Sequence, residues 1–286
     1  MNRFGIDKLL GRHPQRPEKG HTGETMSNEN TWQGENERGA RLYQHGRYAE
    51  AEQAFRMALQ EAEHFGPTDT RVALVLNNLA SLCHNQRKLA EAEALHQRAL
   101  AIRRQAYGPQ HPLVAQSLNN LASLYRELGK YQEAEEFLQH ALAIAEALVG
   151  PHHWRITNCL NNLAAVYTAQ TRYAEATALF QRSLTIRQRY FGANDPTVAT
   201  TLCGLAELAL AQGQHAEAEP LFRRALAIRE EQLGVDHPAV AVLLEKYAAL
   251  LRETARAAEA VAVEARAQTI RARQLQITPR GDGEQG

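Results

Sequence analysis

The pentapeptide Leu-Asn-Asn-Leu-Ala occupies residues 76–80 and recurs at residues 118–122 and 160–164. Two weaker copies follow: residues 202–206 read LCGLA and residues 244–248 read LEKYA, so every step is 42 residues. Self-similarity at a fixed period of this length is typical of repeat architectures, in which each unit buries its apolar face against its neighbours. The sequence therefore predicts a stacked array of units.

Each unit has the pattern of two amphipathic helices. Around the second copy, apolar residues at 118, 121, 122, 125 and 128 are spaced as one face of a helix. Gly129 is expected to end this helix, and a second apolar stripe runs from Tyr131 to Leu142. We count six such pairs between about residues 35 and 275, which predicts an all-α solenoid. The break between the two helices of a pair falls at Gly46, Arg87, Gly129, Thr171, Gly213 and Ala255.

The segments that flank the repeats lack this periodicity. Residues 1–30 are rich in Gly, Pro, Glu, Asn and Thr, and we expect them to be disordered, as we do the tail at 276–286. Met1 and Met26 are both candidate start sites, and the sequence does not decide between them. No apolar run is long enough to cross a bilayer, and the N-terminus lacks the apolar core of a signal peptide. These features favour a cytoplasmic protein.

Composition argues against several classes of function. The chain carries 32 basic and 32 acidic side chains, which argues against a general nucleic-acid binder and against binding to an anionic membrane surface. The three cysteines form no C-x-x-C pair and fall within predicted helices, which favours a reducing compartment. Four of the twelve histidines, His111, His152, His153 and His237, lie in the turns between units, and no Cys, Asp or Glu stands beside the His152-His153 pair at metal-ligand spacing. No catalytic or phosphate-binding motif is present, so we predict no cofactor, no metal and no enzymatic activity.

The unit resembles the tetratricopeptide repeat. Leu118, Leu121-Ala122, Tyr125, Gly129, Tyr131, Ala134 and Ala141 fall in order on the small and large positions of that motif. The 42-residue period exceeds the usual 34. With its long tail after Ala99, the unit is similar to the kinesin light chain subtype, although the long heptad coiled coil that precedes the repeats there is not found here. The resemblance implies a right-handed superhelix whose first helices line a concave groove that binds partner proteins.

The asparagine pairs are the main candidates for a binding role. On a helical wheel they lie away from the face that packs on the paired helix. The resemblance then places them along the groove, where amides could bind the backbone of an extended peptide. The predicted groove residues are Asn77, Asn78, Ser81, His84, Gln116, Asn119, Asn120, Ser123, Arg126, Asn158, Asn161, Asn162 and Thr168. The alternative, which stays open here, is that one or both asparagines of each pair only fix the stacking of neighbouring units.

The sequence also leaves the wider function open between classes. We expect a protein-interaction scaffold, monomeric or weakly self-associating, that binds a peptide or a partner's helix. The alternatives are a structural or self-assembling repeat protein and a regulatory repeat domain that acts on an enzyme in trans. Among single residues, Cys203 is expected to face the groove as an inert thiol, and Gly204 either opens the groove or reflects drift. The arginines of the second helices, among them Arg103 and Arg187, are expected to form a solvated outer surface.

Overall fold

The computed structural model describes residues 23–276, with side chains for residues 31–273. Within this range the chain forms twelve α-helices and a 3₁₀ turn, and contains no strand. None of these helices combines the length and the apolar character needed to cross a membrane. The all-α solenoid of six helix pairs that the sequence predicts is confirmed.

The chain divides into two compact bodies. The first, up to Pro109, contains α1 (Gly23–Gln44), α2 (Tyr48–Glu63), α3 (Thr70–Asn85) and α4 (Leu89–Tyr107). The second, from Gln110, contains α5 (Pro112–Glu127), α6 (Tyr131–Val149), the 3₁₀ turn (Trp154–Ile156), α7 (Thr157–Ala169), α8 (Tyr173–Phe191), α9 (Pro196–Ala211), α10 (His215–Leu233), α11 (Pro238–Glu253) and α12 (Ala257–Gln276). In each body, consecutive helices pack as antiparallel pairs that stack on one another.

The turn inside each pair depends on one residue in a left-handed conformation. Gly129 has φ +74°, a conformation that glycine adopts without a steric penalty. Its backbone N–H donates to the carbonyl of Arg126 at 3.2 Å, which satisfies one of the open carbonyls at the end of α5. Positive φ is found at all six predicted break positions, including the three that carry a side chain: Arg87, Thr171 and Ala255. The sequence pattern therefore located every one of these turns.

The turns between pairs are closed by N-cap side chains. Asp195 accepts a hydrogen bond from the backbone N–H of Thr197 at 2.8 Å, and His237 accepts one from Ala239 at 3.1 Å through Nδ1. Each cap is followed by a proline at the first position of the helix, where the missing N–H costs no hydrogen bond. The histidines of these turns thus act as helix caps, which satisfies helix-terminal N–H groups.

The predicted core residues are buried between the helices of each pair and its neighbours. Leu118, Leu121 and Tyr125 of α5 are buried, as are Ala134 and Leu138 of α6. Small residues at the crossing points let the helices approach closely, and large ones fill the space between layers. In the first body, Cys83 is fully buried at the register position that Tyr125 holds in the second.

The first helix begins within residues 1–30, the segment that we expect to be disordered. Helix α1 begins at Gly23, so residues 23–30 belong to its first turns. This stretch contains no proline, and it continues a helix that packs on α2 from its later turns. Extending an existing helix is far easier than nucleating one. Residues 1–22 and 277–286, where we also expect disorder, lie outside the described residues.

Candidate functional site

The predicted site residues lie on the first helices of the pairs. These helices contact one another from unit to unit, α1 with α3 in the first body and α5 with α7 and α7 with α9 in the second. Asn77 is buried, whereas the other five asparagines of the three pairs are partly exposed. The amides therefore line one face along consecutive first helices within each body.

Asparagines of neighbouring units bond to each other. In the first body, the Asn78 side chain donates from Nδ2 to Oδ1 of Asn36 at 2.9 Å. In the second body, Asn162 donates in the same way to Asn119, also at 2.9 Å. In both cases the second asparagine of a unit reaches the first position of the preceding unit. These bonds support the stacking role that the sequence left open, and each uses one of the two N–H groups of an amide.

The pattern changes where the fifth unit begins. Asn161 donates to the Thr201 hydroxyl at 3.0 Å, and Gly204 stands where the earlier units have their second asparagine. A Cβ atom at Gly204 would lie 2.7 Å from Cζ of the buried Phe180 ring. Gly204 thus makes room for an aromatic side chain in the core. Neither reading from the sequence, an opened groove or drift, accounts for this glycine.

The remaining predicted site residues differ in how they are used. Ser81 and Thr168 donate to backbone carbonyls of their own helices, at 3.0 and 2.9 Å. Asn158 is exposed and accepts a hydrogen bond from Arg187. Partly exposed members of the same set, on α3 and α5, are His84, Gln116, Asn120, Ser123 and Arg126. On α5 and α7 this leaves a face of mostly neutral polar groups, with Arg126 as a cation and Glu127 as an anion among them.

A buried arginine network behind this face was missed by the sequence analysis. The Arg187 guanidinium is only 3% exposed and donates to the hydroxyls of Thr157 and Thr201 at 3.0 and 3.1 Å. It also bonds the carbonyl of Thr197 at the start of α9 and the Asn158 amide oxygen at 2.7 Å. Burial lowers the pKa of Arg187 to about 10. The guanidinium therefore joins α7, α8 and α9.

Arginines in other units confirm that the register position of Arg187 has a structural role. One unit later, Arg229 donates to the carbonyl of Ala239 at 2.8 Å, the same contact with the next helix. Arg103, in the first body, is also buried, and burial lowers its pKa to about 10. The expectation that Arg103 and Arg187 belong to a solvated surface is wrong. The signal was available in the 42-residue recurrence of an arginine beside the apolar stripe, but periodicity alone does not show what partners it meets.

The cysteines lie in the interior. Burial raises the pKa of Cys83 to about 11 and that of Cys159 to about 12, so both thiols stay protonated near neutral pH. Cys203, expected to face the groove, is buried as well and lies 3.8 Å from the Glu207 carboxylate. Among the residues with described side chains, no group of three potential metal ligands comes together.

Comparison with known proteins identifies the repeat. The tetratricopeptide repeat family model matches residues 71–147, 156–231 and 199–273, well over half of the chain. The chain belongs to the tetratricopeptide repeat family. No curated protein is matched by the sequence.

Solved structures share the fold. BtubC from P. vanneervenii is 23% identical with a TM-score of 0.60, and the match covers 82% of this chain and 94% of BtubC. A putative kinesin light chain repeat protein from Podosopora anserina is 25% identical with a TM-score of 0.53, over 75% of this chain and 99% of that protein. The apo form of RapI has a TM-score of 0.69 at 16% identity, over 87% and 85% of the two chains. At these identities the likenesses concern the fold.

Proposed function

We propose that the protein is a non-catalytic protein-interaction scaffold that binds an extended peptide, or a helix of a partner, along the first helices of its pairs. The observation that carries this proposal is the row of partly exposed amides on α5 and α7, joined by the bond between Asn162 and Asn119. Protein interaction is the general role of its family. We place this activity in the cytoplasm, in a monomer or weak homo-oligomer, with no cofactor.

Neutral amides suit this purpose because a peptide backbone offers the same donors and acceptors. After its bond to Asn119, the Asn162 amide retains a second N–H and its carbonyl oxygen for a ligand. The stacking bond also fixes the side chain in one rotamer, which reduces the entropy lost when a ligand binds. Ser123 and Arg126 border the row and would contribute to selectivity.

We also infer that the repeats are of the kinesin light chain-like type. Helices α5, α9 and α11 all begin at a proline, and the last two begin 42 residues apart, at Pro196 and Pro238. The likeness to the Podosopora anserina structure, the TPR-like repeats of a putative kinesin light chain, supports this subtype. The inference extends to the fold and the binding face of the repeats, and does not include motor binding.

The test is a pull-down from lysate of the source cells with variants that leave the stacking bonds intact. Arg126→Glu reverses the positive charge of the face, and Ser123→Leu adds bulk beside it. Arg224→Glu, at an exposed arginine of α10, is the matched control. We expect the Arg126 and Ser123 variants to lose a partner that the wild type and the control retain, with unchanged circular dichroism and Tm. A partner that both variants retain would show that this face is not the binding site.

A further inference from the structure

The last turns of α8 and α10, in the second body, form an exposed patch with aromatic rings on one side. Tyr190 is 49% exposed and lies 5.7 Å from His153 and 6.5 Å from Phe191, centroid to centroid. Phe191 meets Trp154 edge-on at 5.6 Å. The stacking of units does not require the Tyr190 ring, because Gln232 stands at the same register position in the next unit. A half-exposed ring that the fold does not need is typical of an interaction surface.

A cleft lies between the turn after α8 and the last turn of α10. It has a volume of about 370 Å³, it is open to solvent, and it is lined by Phe191, Gly192, Ala193, Asn194, Asp195 and Gln232. Tyr190 directly precedes Phe191 in the chain, so the ring and the cleft belong to one surface. This surface therefore contains both an exposed apolar group and a depression that can receive one.

Opposite charges occupy equivalent positions on the two helices. Arg189 precedes Tyr190 on α8, and Glu231 precedes Gln232 on α10, 42 residues later. Both charged side chains are exposed, and neither forms an ion pair with a residue whose side chain the structure describes. Other charged groups around the patch are already engaged: Glu146 with Arg182, Glu230 with Arg266, Asp236 with Arg273, Asp195 as the N-cap of α9, and Arg155 over the Trp154 ring. The patch thus offers one cation and one anion, one unit apart.

We propose that this patch is a self-association surface, on which a second copy of the chain docks across a two-fold axis between the last turns of α8 and α10. The rotation exchanges the two helices, so Arg189 of each copy meets the partner's Glu231 and the same ion pair forms twice. It also brings each Tyr190 ring to the partner's cleft beside Gln232. A closed two-fold interface requires a surface that is complementary to itself. The patch fulfils this condition in charge and in shape.

Charge complementarity favours a second copy over a ligand of one charge sign. Such a ligand would satisfy only one of the two charges and would face a like charge at the other. A second copy supplies both charges at the same separation, because its own Arg189 and Glu231 are equally far apart. The patch lies on second helices, whereas the amide row lies on first helices. The proposal therefore stands independently of the proposed function.

The experiment is analytical ultracentrifugation of the full chain at concentrations up to about 0.5 mM, because contacts through a few side chains form weak dimers. Four samples are compared: the wild type, Arg189→Glu, Glu231→Arg, and an equimolar mixture of these two variants. Each single variant places like charges opposite each other at both pairs, so its dimer dissociation constant should rise at least about tenfold. In the mixture, the two variants meet with opposite charges at both pairs, so association should return to the wild-type level.

Two further variants complete the test. Tyr190→Gln introduces the residue that the next unit has at this position, and it should also weaken the dimer at least about tenfold. Arg104→Glu, at an exposed arginine of the first body, is the matched charge control and should dimerise as the wild type does. Unchanged circular dichroism and Tm would establish that all variants are folded. The proposal is overturned if the wild type stays monomeric over this range, if the mixture associates no better than the single variants, or if Tyr190→Gln dimerises as tightly as the wild type.

Discussion

At the scale of single residues, His96 is an unfavourable member of the core. It lies on α4 and its side chain is 2% exposed. Leu138, at the same register position in the second body, is fully buried. Its Nδ1 atom has no hydrogen-bond partner among the described residues. Burial, with smaller contributions from His84 and Arg103, lowers the pKa of His96 to about 3. A buried polar atom without a partner costs about 1–3 kcal/mol.

We therefore predict that His96→Leu raises the free energy of unfolding by about 1–3 kcal/mol at pH 7.5. The pH dependence should change as well. The unfolded chain binds a proton at His96 near pH 6.5 and the folded chain only near pH 3, so the wild type loses stability as pH falls through this window. The variant should lose less stability than the wild type over the same pH range. Urea titrations of both proteins at pH 7.5 and pH 5 measure this, and a variant less stable than the wild type at pH 7.5 would contradict the prediction.

The bond between Asn162 and Asn119 yields a second prediction at this scale. Asn119→Ala and Asn162→Ala should each lower the free energy of unfolding by about 1 kcal/mol, because each leaves a partly buried amide without its partner. The double variant should lose less than the sum of the single losses, since both remove the same bond. A double-mutant cycle by urea denaturation measures this coupling. Additive losses would mean that the bond does not contribute to stacking.

At the scale of helices and turns, the turn between α7 and α8 has a strained backbone, whereas the corresponding turn between α5 and α6 does not. Thr171 has φ +61°, and a β-branched side chain in this region is unfavourable. The same turn between α5 and α6 carries Gly129 at φ +74°. We predict that Thr171→Gly stabilises the protein by about 0.5–1 kcal/mol, the gain being partly offset by the greater freedom of glycine in the unfolded chain. Gly129→Ala should destabilise it by about 1–2 kcal/mol.

Guanidinium denaturation of the two variants beside the wild type checks this pair of predictions. The prediction requires that Thr171→Gly raises the free energy of unfolding and that Gly129→Ala lowers it. If Thr171→Gly proved destabilising, a contact made by the threonine side chain would have to outweigh its backbone strain.

The helices and turns were predictable because their signals are local. Gly129 and Thr171 hold the same place in the 42-residue period, so the turn could be located even where the glycine is missing. The buried network of Arg187 could not be found in this way. Its partners come from α7 and α9, and a charged side chain near the edge of an apolar stripe has the same sequence pattern whether it is solvated or buried. The role of the asparagines was undecidable for the same reason.

At the scale of the whole molecule, neighbouring units are joined by a recurring ion pair. In the first body, Glu52 accepts from Lys88 at 2.8 Å. In the second body the same register positions are taken by Glu135 with Arg172 at 2.7 Å and by Glu219 with Arg256 at 2.9 Å. Where the fourth unit meets the fifth, these positions hold Thr177 and Gln214, which cannot form an ion pair. The stability of a repeat array is approximately a sum of unit and interface contributions, so this interface lacks one stabilising contribution.

Installing the ion pair tests this additive description. We predict that Thr177→Glu combined with Gln214→Arg stabilises the chain, with a coupling free energy of about 0.5 kcal/mol between the two substitutions, as for other partly exposed ion pairs. The coupling should shrink in 1 M NaCl because salt screens exposed charges. A double-mutant cycle by urea denaturation at low and high salt measures it, with Thr185→Glu plus Gln214→Arg as the out-of-register control. Equal coupling in the control would mean that general charge balance, rather than the register of the units, accounts for the stabilisation.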